Sequence, residues 1–86
     1  MKHVKAMDGS VFEVLWMAVA SVDGVLRFAA INCEMADLLR VFMNPENCTV
    51  LIKTFDEHEE VFEGYTVFRG IQINYDGSMI IALSKI

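Results

Sequence analysis

The residues best able to do chemistry in this chain are few. Asp56-Glu57-His58-Glu59-Glu60 sets carboxylates on either side of an imidazole in one unbroken run. Carboxylates and imidazole are the ligands of hard and borderline divalent cations, so Asp56, Glu57, His58 and Glu60 are the candidate metal ligands. The spacing argues against a dedicated site. No glycine supplies the sharp turn of a calcium loop, and no pair of histidines brackets a glutamate at helical spacing, as in zinc proteases. The competing reading is a solvated acidic connection that protects a neighbouring sheet edge from aggregation. The other reactive groups are Cys33 and Cys48, and their only available imidazole bases are His3 and His58. A thiol nucleophile needs a base within hydrogen-bond reach. Cys33 falls in the first turn of a helix expected below, where the dipole lowers a thiol pKa, whereas Cys48 opens an expected strand; both also suit a small core position. No catalytic residue is assigned and the chain is not read as an enzyme. Gly9, Gly24, Gly64, Gly70 and Gly77 are isolated, so no glycine run cradles a phosphate at a helix start and no cofactor is expected.

The elements that would position these groups follow from length and pattern. Eighty-six residues, 55% hydrophobic with one proline, make a single domain over residues 1–86. The net charge of −5 comes from 7 basic against 12 acidic residues. Asp56, Glu57, Glu59, Glu60 and Glu63 account for all of it, because without them acids and bases balance. The basic residues are scattered singly, which excludes a nucleic-acid face and disfavours acidic membranes. Val14 to Val22 is too short to span a bilayer. The segment around it imitates a signal peptide, but Asp8, Gly9 and Glu13 interrupt it and cleavage would discard a strand. The thiols are therefore expected to be reduced and the protein cytoplasmic.

Asp8-Gly9, Asp23-Gly24 and Asp76-Gly77 lie between apolar runs, and such a pair suits a type I′ hairpin turn with both residues at positive φ. Three hairpins are predicted: Lys2–Met7 with Ser10–Ser21, that strand with Val25–Ile31, and Tyr65–Tyr75 with Ser78–Lys85. Gly70 predicts a bulge or a close backbone approach in its strand. Met35, Leu38, Leu39 and Phe42 repeat at helical spacing, predicting a helix over about residues 33–43, capped by Asn32 and stopped by Asn44-Pro45. Cys48 to Phe55 reads as a further strand. The fold class is α+β, a mainly antiparallel sheet or small sandwich or barrel, in the order β-β-β-α-β-β-β with one central helix.

In Val14-Leu15-Trp16-Met17-Ala18-Val19-Ala20 both alternating sets are apolar, although a strand with one wet face should alternate. One short helix covers one face only. The other must meet a second sheet or another subunit, and a mean hydropathy of +0.40 favours a homo-oligomer, a dimer first. Leu15, Trp16 and Met17 are the expected interaction surface, joined by Phe62 and Tyr65, which follow the acidic run.

Phe62-Glu63-Gly64-Tyr65-Thr66, followed by Ile71, Ile73, Asp76-Gly77 and a last apolar strand, resembles small proteins encoded among tail and baseplate genes of phages and prophages from Gram-positive gut bacteria. The resemblance covers residues 62–83. It implies an accessory structural or assembly protein that works by protein contacts, and it transfers no catalytic residue. The expected function is a non-enzymatic, self-associating interaction module with a possible protein partner. The alternative is a small-ligand or metal-binding protein with a pocket between helix and sheet, His58 or Cys33 at its mouth.

Overall fold

A computed structural model describes residues Met1–Ile86. The strands are β1 (His3–Lys5), β2 (Val11–Val19), β3 (Leu26–Ile31), β4 (Val50–Phe55), β5 (His58–Glu63), β6 (Val67–Ile73) and β7 (Met79–Ser84). One helix, α1 (Met35–Phe42), and a 3₁₀ turn over Pro45–Cys48 separate β3 from β4. All seven strands form one sheet in the order β5-β4-β1-β2-β3-β7-β6, and every pairing is antiparallel. This is the expected small α+β fold. It has one strand more than expected, because the acidic stretch continues β4 through a tight hairpin instead of forming a loop.

Following the antiparallel pairings round the sheet, β5 and β6 run in the same direction although they lie at opposite edges. Only Gly64, Tyr65 and Thr66 separate them in the chain. The sheet therefore curls until one continuous stretch of chain passes from its first edge to its last. It pairs with β4 over its first half and with β7 over its second. The near-equal dimensions of 30 × 28 × 27 Å are those of a curled sheet wrapped around its core. Gly64 sits at the crossing with φ +84° and donates its N–H to Thr49 C=O at 3.0 Å.

The concave face holds the core: Val4, Phe12, Val14, Met17, Leu26, Phe28, Leu51, Ile81 and Leu83 are all buried. α1 presses Leu38, Val41 and Phe42 into it. The Phe42 ring lies 4.9 Å from Phe28 and 5.5 Å from Phe12, in tilted or edge contact. A helix of eight residues cannot stand alone in water, so this burial holds it. Of the expected apolar stripe Leu38 and Phe42 are buried and Leu39 is half-buried; Val41 joins them, whereas Met35, the first helical residue, is exposed. Asn32 is not the helix cap. Glu34 occupies that place without a side-chain bond, while Asn32 adopts φ +56° and donates to Glu13 at 3.1 Å.

The three Asp-Gly hairpins form, with different turns from those expected. Each glycine has positive φ and each aspartate does not. In two of them a four-residue turn closes with the glycine N–H donating back, Gly9 to Ala6 and Gly77 to Asn74. Each aspartate instead accepts the N–H two residues on, from Ser10, Val25 and Ser78. The two-residue turn with both positions left-handed joins β4 to β5, at Asp56 (φ 50°) and Glu57 (φ 69°), where no glycine marks it.

Candidate functional site

Two bulges shape the outer, convex face. In β2, Val14 pairs with Ala30 and Trp16 with Ala29, which leaves Leu15 as the extra residue. The bulge shifts the alternation by one position. Val14 and Met17 point into the core, and Leu15 and Trp16 both reach the outside, 43% and 41% exposed. The wholly apolar run in β2 is thus explained within one chain up to this point, and the outer face is left uncovered. Ala29 lies on that face between its cross-strand neighbours Trp16 and Ile80 and is only 1% exposed, so these larger side chains close over it. In β6 the bulge falls between Phe68 and Gly70 and makes Arg69 the extra, exposed residue.

Arg69 faces a groove of about 540 Å³ lined by Asp23, Val25, Arg27, Ala82, Ser84, Lys85 and Arg69 itself. Arg27 and Ala82 are a cross-strand pair, one row beyond Trp16 and Ala29 on the same face. Arg27 Nη2 donates to Asp23 Oδ2 at 3.0 Å, and this contact with the N–H of Val25 holds the Asp23 carboxyl below its ordinary range. Lys85 Nζ stands 5.0 Å over the Tyr65 ring. With Asp23 neutralised by Arg27, the groove keeps the positive charges of Arg69 and Lys85, which form no ion pair in the chain. Nothing in the linear sequence marked this groove, because Arg27, Arg69 and Lys85 come from three segments that meet only through the strand order.

Several expected site residues lie elsewhere. Met17 is 2% exposed and Tyr65 8%, so neither is accessible to a partner; the bulge turns Met17 inward and the crossing segment buries Tyr65. Phe62 is half-buried against the core, its ring 6.2 Å from Tyr65. Leu15 and Trp16 remain as the exposed apolar pair. Asp56 and Glu57 form the hairpin tip, while His58, Glu59 and Glu60 alternate between the two faces of β5 and are exposed. Extended backbone sends neighbouring side chains to opposite sides, and no group of His, Cys, Asp or Glu is gathered to hold a metal ion. Glu60 lies 3.8 Å from Lys53 Nζ.

The thiols are also corrected. Cys33 precedes α1, and burial followed by the charges of Asp37 and Glu34 raises its pKa instead of lowering it. Cys48 ends the 3₁₀ turn, not a strand; it is fully buried, donates weakly to Phe42 C=O at 3.5 Å, and burial pushes its pKa up to about 11. Neither is an activated nucleophile. The groove lies on the outer face and not between helix and sheet, where the alternative reading places a pocket. No helix is long and apolar enough to cross a membrane. No family model, no curated protein and no solved structure matches this chain.

Proposed function

We propose that this chain is a non-catalytic interaction module that self-associates, as a dimer first, through the outer face of β2. The observation that carries the reading is the exposed pair Leu15-Trp16, set outward by a bulge beside a small-residue floor. A bulge is the device by which a strand re-aims side chains for contact, and tryptophan is the residue type most enriched at interface centres. Covering the exposed part of Trp16, about 100 Å² of a side chain 41% exposed, contributes about 2.5 kcal/mol. A standard interface takes about 800 Å² from each partner, a modest share of the 5173 Å² surface here. The role most in keeping with this activity and with residues 62–83 is an accessory part in assembling a phage tail or baseplate.

The test is molar mass by light scattering over a hundredfold range of concentration, for the wild type and for Trp16→Ser. The reading requires a concentration-dependent dimer in the wild type and a weaker one in the variant. A wild type that stays monomeric to the top of the range, or a variant that associates equally well, contradicts it.

A further inference from the structure

Besides the single charges of Lys2, Lys5, Asp8, Glu13, Glu34, Glu46 and Asp76, this chain carries two groups of opposite charge without ion pairs. Of the acids in residues 56–63, Glu60 alone forms an ion pair, with Lys53. Asp56, Glu57, Glu59 and Glu63 are exposed and unpaired, at the tip of the β4–β5 hairpin and along β5. At the other edge of the sheet, Arg69 and Lys85 are exposed and lack a carboxylate partner. The groove they line has a low floor, because Ala82 and Gly70 pair across β7 and β6 and neither fills the space above the sheet. Gly70 has nothing within 4 Å of where a Cβ would stand. Opposite charges left unpaired on separate parts of one chain are complementary between two copies of it.

We propose that the groove of Arg27, Arg69 and Lys85 receives the acidic β4–β5 hairpin of a second copy of this chain. The inference rests on the self-association proposed above and adds its orientation: a two-fold dimer makes the contact twice, groove to hairpin and hairpin to groove. Asp56 and Glu57 reach the groove first, since the left-handed turn projects them beyond the strands. Arg69 and Lys85 meet these acids, and Arg27 keeps its bond to Asp23. Trp16, one row away on the same face, lies at the margin of the contact and becomes covered with it.

The test is a charge swap. The groove variant is Arg69→Glu with Lys85→Glu; the hairpin variant is Glu57→Lys with Glu59→Lys. Circular dichroism and melting temperature establish that each folds, and Arg69→Lys serves as the charge-keeping control. Each variant alone presents like charges at both contacts, so its dimer dissociation constant rises about tenfold or more at low salt. An equimolar mixture restores opposite charges at both contacts and regains wild-type association. In the wild type, raising salt from about 50 to about 500 mM weakens the dimer. A variant that associates alone as the wild type does, or a mixture of folded variants that stays dissociated, overturns the orientation. If the wild type dimerises and Trp16→Ser weakens it while the charge variants do not, this inference falls and the proposed function stands. A monomeric wild type overturns both.

Discussion

Lys53 is the residue whose removal tests the architecture most sharply. β1 pairs with β2 only as far as Glu13, so the second half of β2 has no strand beside it on that side. Lys53 faces the interior from β4 and reaches across this gap, donating from Nζ to Met17 C=O at 3.1 Å. It also lies 4.5 Å over the Phe55 ring. Lys53→Met keeps the apolar stem and deletes the charge. The lost charge-assisted bond costs about 1.5–3 kcal/mol and the ring contact about 0.5–1 kcal/mol, with some overlap between them. The pair with Glu60 adds little, because the Glu60 side chain is 62% exposed. The expected loss is about 2–3 kcal/mol, or about 8–24 °C in melting temperature for a domain of this size. Urea unfolding followed by circular dichroism at fixed protein concentration measures it, with Glu60→Gln expected within about 0.5 kcal/mol of the wild type. A Lys53→Met protein within about 0.5 kcal/mol of the wild type would refute the reasoning, since water would then satisfy the Met17 carbonyl as well as the lysine does.

Other perturbations have equally definite outcomes. Glu57→Gly relieves a left-handed position held by a residue with a Cβ, so urea unfolding should show a gain of about 0.5–1 kcal/mol; a loss would mean that the turn is not strained. Ellman's reagent should modify Cys33 slowly in the native protein and Cys48 only on unfolding, because Cys48 is buried with its pKa at about 11. Asp76 is held below its ordinary value first by the Ser78 hydroxyl and then by the Ser78 N–H. A depressed folded pKa means that its stabilisation is complete above the unfolded value of about 4 and is lost as pH falls through the folded value. Asp76→Asn should therefore be less stable than the wild type at neutral pH, with the gap narrowing in acid; a gap independent of pH contradicts this. Phe42→Ala removes the ring shared with Phe12 and Phe28 and should cost about 3–5 kcal/mol, enough to leave α1 unfolded by circular dichroism.

Much of this fold was legible because local rules and tertiary needs agree. The Asp-Gly pairs marked three hairpins, and the helical spacing of Leu38 and Phe42 placed α1 between the two β blocks. Gly70 signalled its bulge. Where reading failed, a competing force decided. β5 was hidden because its charged residues look like a loop, yet an exposed edge strand tolerates charge on both faces. Its turn, Asp56-Glu57, carries no glycine, so the usual signal was missing. The bulge at Leu15 shifted the β2 alternation by one residue, turning Met17 inward and Trp16 outward; nothing in a run of apolar residues reveals which one is extra. The closing of the sheet through Gly64-Tyr65-Thr66 buried Tyr65, which adjacency to acids had suggested was exposed. The groove of Arg27, Arg69 and Lys85 depends wholly on β3 lying beside β7, a neighbour relation between segments far apart in the chain.

The central claim is that a second chain covers the outer face at Trp16. The most direct measurement is acrylamide quenching of its fluorescence over a hundredfold range of protein concentration. Because Trp16 is the only tryptophan, the signal is unambiguous. Quenching that weakens as concentration rises, with an emission shift to the blue, is the predicted result. Quenching and emission that stay constant while molar mass increases would show that association leaves Trp16 uncovered, and would contradict the account.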